Sequence, residues 1–307
     1  MSYPYLSDVV KAVTGQALPL PIPLFGLCVA FAMLMAAAYL RHALGQLYRA
    51  GQIGPAHVRI KGEDGVSHAV QVAPSAVVSD LTLVVMIAGV VGSRLFHILE
   101  HTEQFSADPW GMIFTRSGLS IFGGLILGTA VGVLSLRRWR LPIRPFLDAV
   151  APAMMLGYAL GRIGCQIAGD GDWGGVADMA RKPDWLPTWL WAQTYDNNIV
   201  GQLIQAPGVY PAPLYETLMG LACFVLLWSV RKHRHAKGWL FSLYLLLAGA
   251  ERLLIEQVRV NPVFDIGLTR ATQAEIIATA LIAFGGVGLA LLWRRAPPAP
   301  LPVGGRA

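Results

Sequence analysis

The chain has 307 residues, of which 55% are hydrophobic and only 14% charged, with a mean hydropathy of +0.53. Such values exclude a disordered chain. The net charge of +6 comes from basic residues set between apolar runs rather than on one cationic surface, which excludes a nucleic-acid-binding protein. Cys28, Cys165 and Cys223 lie far apart inside apolar stretches, so neither a disulfide framework nor a zinc site is expected, and no metal or cofactor is predicted.

A bilayer core of about 30 Å needs roughly 20 apolar residues per helix. Seven stretches reach that length: Leu20 to Leu40, Val77 to Leu99, Gly118 to Leu136, Pro145 to Ala168, Pro211 to Val230, Trp239 to Val258 and Thr269 to Trp293. The expected fold class is therefore an all-α polytopic membrane protein of seven transmembrane helices. Lysines and arginines collect in alternate loops: Arg41, Arg49, Arg59 and Lys61; Arg137, Arg138, Arg140 and Arg144; Arg231, Lys232, Arg234 and Lys237; and Arg294, Arg295 and Arg306 after the last stretch. By the positive-inside rule these loops are cytoplasmic, which places the N-terminus outside and the C-terminus inside. The intervening loops are acidic or mixed, and Trp110, Trp173, Trp185, Trp189 and Trp191 fall on that outer side. One transmembrane domain, residues 1–295, carries two small inserts. Residues 41–74 hold a cytoplasmic hairpin, signalled by alternation on both sides of Glu63-Asp64-Gly65. Residues 169–210 form an extracytoplasmic head. The Pro-rich segment 296–307 reads as a disordered tail.

An ionisable residue near a span centre costs about 2.5 to 3.5 kcal/mol on insertion scales, so each one calls for a partner or a function. Three outward-running spans carry Arg94, Arg162 and Arg252 roughly six residues, or about 9 Å, before their outer ends. The inward-running spans place Phe122, Tyr215 with Glu216, and Gln273 with Glu275 at a similar depth. Arg252, Glu256 and Arg259 follow i, i+4, i+7 spacing and share one helix face. Such a layer serves either as charge-paired glue between helices or as a site for an anionic lipid head group, whose phosphate matches guanidinium forks. Gly161 and Gly164 flank Arg162 with small residues. The loop Gly169-Asp170-Gly171-Asp172-Trp173-Gly174 opens like a calcium loop, but Arg181 stands where the last ligand belongs, so it reads as a turn shaping the mouth of the site.

Four motifs in order resemble those of the prolipoprotein diacylglyceryl transferase family. They are Gly118-Leu119-Ser120-Ile121-Phe122-Gly123-Gly124, Gly161-Arg162-Ile163-Gly164, Pro211-Ala212-Pro213-Leu214-Tyr215-Glu216, and Glu251-Arg252-Leu253-Leu254-Ile255-Glu256 with Arg259. The resemblance implies a transferase of the bacterial cytoplasmic (inner) membrane that moves a diacylglyceryl group from phosphatidylglycerol to the lipobox cysteine of a prolipoprotein signal peptide and releases glycerol phosphate. It implies that Arg162 and Arg252 clamp the phosphate, held by Glu216 and Glu256, with Tyr215 positioning the head group. Arg94, Arg259, Gly123, Gly124, Gly164, Asp170, Asp172 and Gln273 complete the expected substrate site. Two departures touch that site: Phe122 stands where the family has histidine, and Cys165-Gln166 where it has asparagine and phenylalanine. His97, three residues after Arg94 on one helix face, reads either as a substitute base, with Asp170 and Asp172 as weaker rivals, or as an interfacial side chain reaching water. Two competing readings remain. One is a lipid-binding or transport protein using the same arginines without thiol chemistry; the other makes Cys165 the nucleophile of a two-step transfer.

Overall fold

The computed structural model describes residues 2–16, 19, 22–61, 67–114, 120–232, 234–266 and 269–294. Gly118 and Leu119, the Glu63-Asp64-Gly65 turn and the tail 296–307 lie outside the described residues. Among the described residues ten helices run in the order α1 (Leu6–Thr14), α2 (Leu24–Arg49), α3 (Val78–Glu100), α4 (Thr102–Ala107), α5 (Pro109–Phe114), α6 (Ile121–Arg138), α7 (Ile143–Ala168), α8 (Ala212–Val230), α9 (Trp239–Glu256) and α10 (Gln273–Leu292). Two antiparallel ribbons are inserted: β1 (Ala56–Lys61) with β2 (Ser67–Val72), and β3 (Val263–Ile266) with β4 (Thr269–Thr272). Among the described residues six helical segments are long and apolar enough to cross a membrane, those of α2, α3 with the turn before it, α6, α7, α8 and α10. The seventh expected span, α9, is an 18-residue helix whose C-terminal half carries Glu251, Arg252 and Glu256. The chain is thus a mostly helical multi-pass membrane protein.

Element ends depart from the hydropathy reading for local reasons. Residues 41–49 continue α2 because good helix formers on both sides of Gly45 outweigh that one glycine, and Gly51, with a φ of 67°, ends the turn. The last helix starts at Gln273 rather than Thr269. Thr272 caps it with a reciprocal box, its Oγ1 accepting from Glu275 N while Glu275 Oε2 accepts from Thr272 N. The short helix α1 has no counterpart in the expected spans.

The described chain divides into two compact units, one of residues 1–38 and 147–297, the other of 39–146 with the terminal residues. The first contains α8, α9 and α10 and most of α7. Its core gathers Ala151 and Met155 of α7, Leu227 of α8, and Trp239 and Leu240 of α9. Asp148, buried on α7, accepts from Gly238 N at 2.7 Å and Phe241 N at 3.0 Å, satisfying donors at the start of α9. The second unit pairs α3 with α6. A Cβ on Gly123 would lie 2.1 Å from the Gly92 carbonyl oxygen, and one on Gly124 2.4 Å from Ser93 Oγ, so these glycines let the two helices touch. The β1–β2 ribbon sits in this unit with Ala56 opposite Val72, and His57 N donates to the Trp139 carbonyl at 2.9 Å.

Candidate active site

Arg162 sits near the C-terminal end of α7, and Tyr158 one turn before it lies under the guanidinium, 5.4 Å from Cζ to ring centroid. Pro211 opens α8 and brings Glu216 beside it: Arg162 Nη2 stands 3.1 Å from Glu216 Oε1. Gly169 and Gly171 adopt left-handed backbone as the chain leaves α7. Gly174 N then donates to Tyr210 O and Gly175 N to Val258 O, which lays this loop against the end of α9. A Cβ on Gly174 would be 2.4 Å from Val258 O, so only glycine permits that approach. The consequence is that Asp172 bridges two arginines, pairing with Arg162 Nη1 and, at 2.9 Å, with Arg259 Nη2. Arg259 Nη1 also lies 3.8 Å from Glu216 Oε1.

A second cluster continues along α9. Arg252 Nη2 pairs with Glu256 Oε2 at 2.9 Å. Glu256 is locked from the other side by Asn261 Nδ2, at 2.8 and 2.9 Å from its two oxygens, and by Thr272 Oγ1 at 2.6 Å. The α9–α10 connection thus folds back to fix the carboxylate that orients Arg252. In these two clusters three guanidiniums face three carboxylates. Among the described residues Arg252 Nη1 and Arg259 Nη1 are nonetheless buried without a hydrogen bond.

The structure brings together Arg162, Glu216, Asp172 and Arg259, and separately Arg252 and Glu256. The other expected residues make the following contacts. The Tyr215 hydroxyl donates to the Leu190 carbonyl at 2.6 Å and ties α8 to the head insert. Gly164 packs α7 on α2, where a Cβ would come within 2.9 Å of Cys28 Cβ. Asp170 Oδ1 accepts from Asp172 N at 3.2 Å, an Asx turn that shapes the loop. Gln273 is exposed at the first turn of α10. In the other unit Arg94 Nη1 donates to the Met112 carbonyl at 3.3 Å, and the His97 ring lies against that of His101, tilted by 44° with centroids 4.5 Å apart. Phe122 is partly exposed there. Cys165 is buried, its sulfur 3.7 Å from Arg162 Nη1.

The sequence reading missed Tyr158, Asn261 and Thr272. Tyr158 was readable as the i−4 neighbour of Arg162, and Thr272-x-x-Glu275 as a capping signature; Asn261 gave no signal. Of potential metal ligands, His97, Glu100 and His101 cluster, as do Cys165, Asp170 and Asp172. The second group is engaged with cations already, since both Asp172 oxygens meet guanidiniums.

Burial opposes ionisation of Asp172, but Arg162 and Arg259 outweigh it and hold its carboxyl below the usual range. A depressed carboxylate contributes stability above its unfolded pKa of about 3.9 and loses it as pH falls through the folded value. Thermal unfolding in detergent is therefore expected to separate the wild type from Asp172→Asn at neutral pH, and the two are expected to converge only below about pH 4. A gap that closes already at pH 6 contradicts this pairing.

Half-buried arginines paired with carboxylates on a multi-pass helical scaffold define a membrane protein whose polar site has the chemistry that matches a phosphate. A family profile described as prolipoprotein diacylglyceryl transferase matches residues 13–292, and the chain belongs to that family. Relatives named phosphatidylglycerol–prolipoprotein diacylglyceryl transferase include one from Xanthomonas oryzae pv. oryzae, 34% identical over 234 residues, covering 71% of this chain and 76% of the relative. Another, from Corynebacterium glutamicum, is 29% identical over 225 residues, 68% of each chain. A third, from Dehalococcoides mccartyi, is 31% identical over 199 residues, covering 64% of this chain and 69% of the relative.

Proposed function

We propose that this protein transfers the diacylglyceryl group of phosphatidylglycerol to the lipobox cysteine thiol of a prolipoprotein, at the outer face of the bacterial cytoplasmic membrane. The observation that supports this beyond family membership is the pair of buried guanidinium nitrogens without a hydrogen bond, Arg252 Nη1 and Arg259 Nη1. A phosphodiester supplies oxygens for them, and the carboxylates behind keep the forks aimed. In the reaction the sulfur forms a bond to the glyceryl carbon, the bond from that carbon to the phosphate ester oxygen breaks, and the electron pair leaves on glycerol phosphate. The thiol proton passes to a general base and from it to the released phosphate or to solvent. Arginines facing that oxygen stabilise charge that develops only as the bond breaks, and their field favours the thiolate over a thiol of pKa about 8.5. The test is mass spectrometry of a lipobox peptide incubated with phosphatidylglycerol and purified protein. A mass increase of one diacylglyceryl group is expected; lipid binding without it favours the lipid-transport reading.

His97 is the proposed base for the thiol, since Phe122 accepts no proton. His97→Gln is expected to lower transfer at neutral pH and shift its pH dependence, and Phe122→His in that background to restore part of the rate. An unchanged rate and pH profile in His97→Gln leaves catalysis to the arginine field alone.

The proposed topology counts α9 as a seventh span whose charges are neutralised inside the bundle, with residues 41–74 inside and 169–210 outside. A membrane-impermeant thiol reagent applied to intact cells is expected to miss Asp64→Cys and to label Asp184→Cys. The reverse pattern inverts the orientation.

A further inference from the structure

Tyr158 places one hydroxyl between two carboxylates. Its oxygen lies 3.2 Å from Glu216 Oε1 and 3.0 Å from Glu251 Oε1, and these glutamates are 0% and 5% exposed. A phenol carries a single proton. With both carboxylates ionised, a phenol that donates to Glu216 leaves Glu251 a buried anion without a donor, and one that donates to Glu251 turns its lone pair on the Glu216 anion. The geometry closes when the trio holds one more proton.

The surroundings assign that proton to Glu251. Glu216 Oε1 faces Arg162 and Arg259, which favour its anion. The groups around Glu251 are Tyr158 and Arg162 from α7, Glu216 and Cys223 from α8, and Tyr244 and Arg252 from α9 itself. Arg252 is turned to Glu256. The packed neighbour α10 has one titratable residue, Glu275, which caps its own N-terminus. Three guanidiniums already balance Asp172, Glu216 and Glu256, and a fourth carboxylate has no cation of its own.

We propose that Glu251 is a positioning residue that acts on Arg162 through a hydrogen-bonded chain, protonated Glu251 donating to Tyr158, Tyr158 to Glu216, and Glu216 holding the guanidinium. The role rests on the transferase reading above. As the carbon–oxygen bond of the lipid breaks, a second negative charge develops on the phosphate. The Glu251 proton then moves to the Tyr158 oxygen and the Tyr158 proton to Glu216 Oε1. No proton is gained or lost, and no bond between heavy atoms changes. The negative charge moves from Glu216 to Glu251, away from Arg162, whose guanidinium then faces a neutral carboxyl on that side and turns more of its charge to the leaving group. Departure of glycerol phosphate reverses the shift.

Glu251→Gln is the informative variant, because its amide still donates to Tyr158 but releases no proton. With lipobox peptide and phosphatidylglycerol, kcat is expected to fall about 100-fold while KM for the lipid stays unchanged. The alkaline limb of the wild-type kcat profile is expected to disappear. Tyr158→Phe is expected to lower kcat likewise, and the double variant to be no slower than either single one. A Glu251→Gln protein with the wild-type kcat and profile, or one altered in KM alone, overturns the relay. Infrared spectroscopy of the purified protein tests the extra proton apart from turnover. The carbonyl stretch of a protonated carboxyl is expected in the wild type at neutral pH and is expected to be lost in Glu251→Gln. Its absence from the wild type overturns the assignment even if transfer is robust, whereas the band together with an inactive wild type faults the transferase reading instead.

Discussion

Arg252→Ala and Arg162→Ala are each expected to lower diacylglyceryl transfer by roughly two to three orders of magnitude while the protein still inserts, the usual cost of losing a charged donor at a reacting centre. The two arginines reach this outcome by different routes. Arg252 has one nitrogen fixed by Glu256 and another buried without a hydrogen bond, so its fork is aimed and one arm is available to a phosphate. Arg162 is engaged by Asp172 and Glu216, so it acts as a charge whose direction those carboxylates set. Lysine is expected to restore neither, since a point charge cannot hold two partners with separate arms, a carboxylate and a phosphate at Arg252 or two carboxylates at Arg162. Peptide mass spectrometry with phosphatidylglycerol checks both pairs of variants. Near-normal product from either alanine variant reduces that arginine to a helix contact.

Much of this site could be read from the sequence because parts of it are local. Arg252 and Glu256 are one turn apart, and helical spacing alone sets them side by side. Charged residues in apolar stretches pointed to a site before any geometry was known. The link between Asp172 and Arg259 was not readable. It spans 87 positions and depends on a glycine loop pairing with the backbone at Val258. Tyr215 shows the opposite limit: its residue type suits a head-group contact, but the folded head insert supplies a carbonyl that takes its hydroxyl. Thr272 was assigned to a span, and hydropathy has no means of revealing that the β3–β4 ribbon returns it to Glu256. Gly123 and Gly124 have the residue type of a lipid contact, yet the approach of α3 to α6 already requires them to be glycine.

Glu216→Ala is expected to destabilise the protein by about 3 to 5 kcal/mol, the range for removing one partner of a buried ion pair. Its side chain is fully buried, and a single oxygen meets Arg162 at 3.1 Å, Tyr158 at 3.2 Å and Arg259 at 3.8 Å. Alanine therefore leaves two cations and a phenol facing a cavity, and Asp172 alone to balance both guanidiniums. Glu216→Gln separates charge from shape, since its amide oxygen still accepts from Tyr158 or Arg162 while the site gains one net positive charge. The glutamine variant is expected to unfold at a temperature between those of the wild type and the alanine variant in detergent, and to bind phosphatidylglycerol more tightly than the wild type because less negative charge opposes the phosphate. It is also expected to turn over more slowly, because the charge that Glu216 hands to Glu251 is absent from the start. Thermal unfolding and lipid binding measured on the same preparations check the two effects. An alanine variant as stable as the wild type shows that Glu216 does not hold the arginines, and the phosphate site then has to be assigned to the cluster around Arg252 alone.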